Sequence, residues 1–443
     1  MNDTKAPPPQ STGPTGMTRR ELLTAGTLLA ASAPAFGQSR LPGMPSSSRE
    51  LWQWVRTQGM FDSRLTFLDV ATAGPTLRAA MAAEYRAREA QSFGVANAAL
   101  DRWATETTRL ARRFADFMGC SMDELIFTRG TGEALSIAAA GLDLASGDEV
   151  VTTTREHPAA LSPWLMLARR HGIVVKQITL PAPLETPEQT LEVLGDAMSE
   201  RTRVLAFPHL DYADGALLPV RQICALARSR NVITIVDGAQ ALGMLDFQLH
   251  DLDCDFYAAS FHKWMNGSHG TGMLYVSRPS LERLWPIEPR GIDAPPIPTP
   301  TVAVGQHGVP AALHKLGNIV PLAWPALRGA EIAVDFQQQI LRSRIEARVR
   351  ELAIYARMRL QTLPGVELLT PARPGLWAGI LSFQVPGRSA ADMAAHLAHG
   401  FRIYIREVHR AERTDGALRV SLHIFNSHDD IEKLIQGLQQ VLR

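Results

Sequence analysis

The stretch Ala259–Val276, ASFHKWMNGSHGTGMLYV, places Lys263 among Phe261, Trp264 and Met265. Lysine is scarce here: the 45 Lys and Arg residues include only Lys5, Lys176, Lys263, Lys315 and Lys433. A lysine after an apolar strand can snorkel to solvent. A partly desolvated one has a lowered pKa and can serve as the amine of a Schiff base. Ser260 and His262 beside it can donate hydrogen bonds to an anion, and Gly267, Gly270 and Gly272 permit tight turns. Three further segments carry reactive types. VDGAQALG sets Asp237 at the carboxyl end of an apolar strand, where open α/β sheets bind ligands, although a helix N-cap is an equal use of that residue. TRGTGEAL turns through Gly130, Thr131 and Gly132 into a helix whose free amides suit a phosphate, or which simply begins there. It is neither GxGxxG nor GxxxxGK[ST], which disfavours a dinucleotide or P-loop nucleotide. REHPAALSPW puts His157 on a loop after a strand, in a structural or a functional position.

In chain order, then, come a phosphate loop, a planar side chain, a strand-end carboxylate and a lysine. A pyridoxal 5'-phosphate site needs these parts: a phosphate anchor, a ring stack, a partner for the pyridine nitrogen and a Schiff-base amine. A carboxylate against that nitrogen favours its protonated form. The segment VDGAQALG followed by DLDCDFYAASFHKW, together with EHPAALSPW and LRVSLHIFNSHDDI, resembles the class V aminotransferase superfamily of fold type I over nearly all of residues 60–443. That family includes isopenicillin N epimerase-like proteins and cysteine desulfurases. The resemblance implies that Lys263 forms the Schiff base, His157 stacks on the ring, Asp237 meets its nitrogen and Gln240 reaches its phenolic oxygen. It assigns the phosphate to Thr131, Gly132, Ser260 and His262, and the substrate carboxylate to Arg419. It also implies a homodimer, with Asn318 in the segment that reaches across.

Two departures stand out. In FPHLDYADG, Tyr212 stands where the desulfurases carry an Asn, and the loop REVHRAERTDGALR lacks the cysteine they need; no cysteine follows Cys254. His409 and Arg410 in that loop are either substrate-facing or solvated. The expectation is a pyridoxal phosphate-dependent enzyme acting at the α-carbon of an amino acid, by epimerisation or transamination. The alternatives are a lyase or desulfurase-like protein without the catalytic cysteine, and a non-catalytic cofactor-binding protein.

These residues need elements to position them. Of 443 residues, 46% are hydrophobic and 20% charged, with a net charge of +1, as for a soluble globular protein with no field to attract nucleic acid. Three separated cysteines without CxxC spacing argue against a disulfide framework or cysteine-rich metal site. From about Leu51 strand-like, near-continuous apolar runs alternate with helical periodicity. Strands are predicted over 124–128, 149–153, 173–178, 203–208, 232–237 and 255–260. Helices are predicted over 101–118, 133–140, 160–171 and 220–230. That alternation predicts an α/β fold with a mainly parallel sheet flanked by helices. Seven prolines between Trp285 and Pro310 predict a long connection. A smaller α+β C-terminal domain follows, with a helical region over 325–362, strands over 377–385, 403–406 and 418–423, and helices over 390–398 and 429–442. The expected domains are 76–310 for the large cofactor-binding domain and 311–443 for the small one, with residues 41–75 packing on the small domain. Residues 1–40 are expected to be disordered. Within them MTRRELLTAGTLLAASAPAFGQ resembles a twin-arginine export signal cleaved after Ala35, so a periplasmic location is expected; without a signal it would be cytoplasmic. No later apolar run has the ~20 residues of a membrane span.

Overall fold

The computed structural model describes residues 43–45, 47–93, 98–287, 324–410 and 413–443. The export-signal segment and Asn318 lie outside them. The described residues form one compact unit.

A seven-stranded sheet forms the larger part. Its strands are β2 (Leu125–Thr128), β3 (Glu149–Thr153), β4 (Val174–Ile178), β5 (Thr202–Pro208), β6 (Ile233–Asp237), β7 (Phe256–Ser260) and β8 (Gly272–Val276). They lie in the order β2-β8-β7-β6-β5-β3-β4. Neighbours from β4 to β7 pair in parallel, and β8 runs antiparallel to both β7 and β2. The apolar runs reflect burial on both faces. Along β7, Phe256 and Ala258 enter one core cluster while Tyr257 and Ala259 enter the other. Along β5, Val204 and Ala206 alternate likewise with Leu205 and Phe207. A period of two with apolar residues in both phases is what a doubly covered sheet requires.

The predicted strands and helices of this region all form, with ends shifted by at most a few residues. Helices Arg78–Phe93 and Pro187–Ala197 are additional. The helical region predicted over 325–362 is two helices, Trp324–Ile340 and Arg342–Leu360, broken at Leu341, whose φ is +78°. The break sets the Arg342 guanidinium over the rings of Phe117 and Phe247, where Nη1 also donates to the Phe117 carbonyl.

Towards the C-terminus a four-stranded antiparallel sheet has the order β12-β13-β10-β9, with β9 Glu367–Leu368, β10 Ile380–Gln384, β12 Arg406–Arg410 and β13 Arg413–Ser421. Its inner residues Leu381, Phe383, Leu418 and Val420 join a core cluster that also takes in one face of the large sheet. The segment 66–77 crosses between the two sheets. Its strand β1 (Thr66–Phe67) pairs in parallel with β11 (Ile403–Tyr404), and the Leu68 carbonyl accepts from the Ser421 amide at 2.8 Å.

Candidate active site

The carboxyl ends of β5, β6 and β7 open on a cavity of about 210 Å³. Thr131, Gly132, His157, Asp237, Gln240, Ser260, His262 and Lys263 all line it, with Tyr212. Thus nine residues from five separate stretches of sequence converge on one concavity.

Lys263 follows β7 on a turn whose other residues are locked. Phe261, Trp264 and Met265 are fully buried. The His262 carbonyl accepts from the Gly74 amide at 2.8 Å, and the Trp264 carbonyl accepts from Gln337 at 3.1 Å and His423 at 2.8 Å. The turn therefore cannot rotate, and the lysine side chain is left to point into the cavity. The Lys263 carbonyl accepts from the Asn266 amide at 3.1 Å, while its side-chain amine makes no ion pair or hydrogen bond among the described residues. Burial pushes its pKa down, while Asp237 opposes that shift.

Asp237 ends β6. One oxygen accepts from the Ala239 amide at 2.9 Å, and the other has no protein donor among the described residues. Burial raises its pKa, against the Ala239 amide and the charge of Lys263. The turn after it is sterically tight, because a Cβ on Gly238 would lie 2.0 Å from the Tyr257 ring. That ring is pinned by its hydroxyl, 2.9 Å from Nδ1 of buried His209. Gly238→Ala is therefore expected to destabilise the protein by about 1–3 kcal/mol, measured by urea denaturation, because Tyr257 or the Asp237 turn must move.

At the other end of the cavity, the helix Thr131–Gly141 begins after Gly130. The Thr131 amide donates to Ser260 Oγ at 2.9 Å, and the two hydroxyls are 2.7 Å apart. The Gly132 amide, in the first turn, has no intrahelical acceptor. The ring of His262 stacks on His269 and lies near the Thr271 backbone, and its buried Nδ1 makes no well-formed hydrogen bond among the described residues. Burial, with help from Lys263 and His269, lowers its pKa to about 4, so the ring is neutral at pH 7. A helix start, two hydroxyls and an orphaned ring nitrogen make a cradle for an anion.

His157 is the N-cap of helix Pro158–His171, its Nδ1 accepting from the Ala159 amide at 3.2 Å. That bond puts the ring proton on Nε2. Burial and the nearby Lys263 lower its pKa, which favours the uncharged ring. Tyr212 meets it edge to face, with centroids 5.1 Å apart.

Gln240 is more committed than the resemblance implies. Its amide nitrogen donates to the Ala71 carbonyl at 3.0 Å and its oxygen accepts from Trp264 Nε1 at 2.8 Å. One amide hydrogen remains for a ligand. Arg419 stands apart from the cavity lining. It is buried, donating to the Tyr212 carbonyl at 2.9 Å, to Asp69 at 2.6 Å and to Thr72 at 2.8 Å. His409 lies 3.0 Å from Glu407 on the exposed face of β12.

A buried ionic cluster beneath His157 escaped the sequence reading. Nη1 of Arg155 bonds Asp211 at 3.0 Å and Asp214 at 2.7 Å, and Nη2 donates to the Pro181 carbonyl. All three charged side chains are almost wholly excluded from solvent. Glu156 is buried next to them, its pKa pushed well up by burial and by Asp237. The sequence signal was available: Arg155 and Glu156 adjoin His157, and Asp211 and Asp214 bracket Tyr212 in a loop at a strand end.

A mainly parallel sheet with a converging polar cavity at its carboxyl edge defines an α/β ligand-binding protein of the doubly covered kind. Residues 71–434 match the family model for aminotransferase class-V, and the chain belongs to that family. It is 32% identical to isopenicillin N epimerase of Amycolatopsis lactamdurans over 410 residues, 88% of this chain and 98% of that protein. It is 31% identical to a probable cysteine desulfurase of Halalkalibacterium halodurans over 337 residues, 72% of this chain and 78% of that protein. Among solved structures, a C-DES variant with glycine covalently linked to its PLP cofactor superposes with a TM-score of 0.77 at 23% identity. That match covers 86% of this chain and 98% of the other. A cysteine desulfurase from Escherichia coli gives 0.74 at 23% identity, over 88% and 98%.

Proposed function

We propose that this chain is a pyridoxal phosphate-dependent enzyme acting at the α-carbon of an amino acid, and that the reaction is epimerisation. The observation that carries the reading is Lys263, a deep-set amine without an ion pair, in one cavity with the buried carboxylate of Asp237. The polar groups left open fit the cofactor's three polar ends. The Thr131–Gly132 helix start and orphaned His262 Nδ1 suit a phosphate, the free Asp237 oxygen a protonated ring nitrogen, and Lys263 an aldehyde. When bound, the cofactor supplies an electron sink that stabilises negative charge at the substrate's α-carbon.

The chain's own residues supply the rest. Burial keeps the Lys263 amine closer to neutral, so it can remove the α-proton and return one. Asp237 holds a positive charge against its free oxygen, in surroundings where that charge is poorly screened. The uncharged His157 ring offers a flat surface to a planar group. Arg419 is the fork for the substrate carboxylate. Epimerisation is favoured by the match to isopenicillin N epimerase over nearly all of that protein's length, and by the lack of any cysteine after Cys254.

The test is direct. Cofactor-free protein given pyridoxal phosphate should gain visible absorbance, and a protein that stays colourless would sink the reading. The loaded protein is then incubated with a panel of amino acids in heavy water. Exchange at the α-carbon without keto acid, ammonia or sulfide supports epimerisation, whereas keto acid formed with an amino acceptor means transamination. Uptake should also depend on pH in a defined direction. Because burial lowers the Lys263 pKa, uptake should rise with a midpoint below the ordinary lysine range. Asp237 raises that pKa, so Asp237→Asn should move the midpoint lower still, followed as absorbance against pH.

A further inference from the structure

We infer that Asp69 closes the carboxylate fork of Arg419 in the ligand-free protein, and that an incoming substrate carboxylate must displace it. The inference rests on the reading of Arg419 as the substrate-carboxylate residue. A carboxylate grips a guanidinium through two parallel N–H bonds, along either the Nε–Nη2 or the Nη1–Nη2 edge. Both edges include Nη2. Here Nη2 is already engaged twice, by Asp69 Oδ1 at 2.6 Å and by Thr72 Oγ1 at 2.8 Å. Thr72 in turn donates to the same Asp69 oxygen at 2.9 Å. Nη1 gives one proton to the Tyr212 carbonyl, and buried Nε has no partner among the described residues. Neither edge can therefore accept a second carboxylate in full.

The two partners differ in their freedom to leave. The Arg419 side chain is 4% exposed and held by β13, whereas that of Asp69 is 13% exposed on the segment 66–77. When a substrate arrives, Asp69 is the group that can turn away and hydrate. Arg419 stays neutralised at every stage, so no unpaired buried charge forms. The consequence is selectivity. A ligand must bring a carboxylate that competes with Asp69, and its affinity is reduced by the stability of the resident pair.

Glycine and glycinamide, which share the amine and differ in the carboxylate, separate these effects. Each is titrated into the holoenzyme and followed by the shift in visible absorbance at equilibrium. Asp69→Asn should bind glycine about tenfold more tightly than wild type and glycinamide equally well. Unchanged or weaker glycine binding overturns the inference, because Asp69 would then be a support for Arg419 and not its competitor. Should Asp69→Asn fail to fold, Thr72→Val frees one Nη2 hydrogen and should shift glycine binding in the same direction by a smaller factor. A crystal structure with glycine bound gives a second readout: the Asp69–Arg419 pair should be broken, and a pair still in place overturns the inference. If Arg419→Lys leaves the ratio of glycine to glycinamide binding at the wild-type value, the reading of Arg419 itself has failed, and the inference falls with it.

Discussion

Lys263→Ala is expected to abolish turnover, lowering the rate by about 10⁴-fold or more, as removal of a nucleophile or its base does elsewhere. On the function proposed above the amine has two tasks, holding the cofactor and moving the α-proton, and no neighbour can take either. His262 and His157 lie close by, but burial holds both rings neutral and neither carries a primary amine. Lys263→Arg should fail equally, because a guanidinium stays protonated and does not condense with an aldehyde. Stability should change little. The amine makes no hydrogen bond or ion pair among the described residues, and its neighbours Phe261, Trp264 and Met265 hold the turn through their own burial. The check has two parts. The variant should refold and melt like wild type, and it should show neither the visible absorbance of wild type with pyridoxal phosphate nor α-proton exchange. Exchange within tenfold of wild type would remove Lys263 from the chemistry.

Arg155→Met should produce the largest loss of stability, about 3–5 kcal/mol. Methionine fills much of the volume but leaves Asp211 and Asp214 buried without their cation. Both carboxylates also accept backbone amides, Ala213 to Asp211 at 2.7 Å and Ala216 to Asp214 at 2.9 Å. They therefore cannot swing out to water without undoing the loop that carries Tyr212. Arg155→Lys should recover only part of the loss, since one ammonium cannot reach both carboxylates and the Pro181 carbonyl as a fork does. Adding Asp214→Asn to Arg155→Met should restore some stability by removing one of the stranded charges. Urea denaturation of the three variants measures these differences. If Arg155→Met unfolds at the wild-type midpoint, the cluster contributes nothing to stability. Activity should fall as well, because the same loop presents the Tyr212 carbonyl to Arg419 and its ring to His157.

The parts of this architecture that were legible share one physical property: their pattern is local. Strands such as Glu149–Thr153 are short apolar runs bounded by polar residues, and their ends place Asp237 and Lys263 at the carboxyl edge of the sheet. The helix Arg78–Phe93 was not legible, because it buries Ala80, Ala83 and Ala87, which give almost no apolar periodicity. Pro187–Ala197 was hidden behind a proline-rich approach, although Pro187 is well placed at a helix start. The cavity residues could be found because each follows a strand or opens a helix. The partners of Arg419 could not, since Asp69 is 350 residues away and nothing in LDVAT marks it as a ligand. The same distance explains why Gln240 appears free in sequence and proves to be tied to Ala71 and Trp264.

The segment 66–77 has a bearing on biosynthesis. It meets β11 at Ile403–Tyr404, Ser421, Arg419 and the Lys263 turn, so the first and last parts of the folded unit meet beside the cavity. A nascent chain still lacking its last strand can build most of the large sheet but cannot seat Arg419 or fix that segment. The Lys263 turn waits on the same step, since Gly74 of that segment and His423 beyond that strand hold its carbonyls, so the amine and the guanidinium are set together.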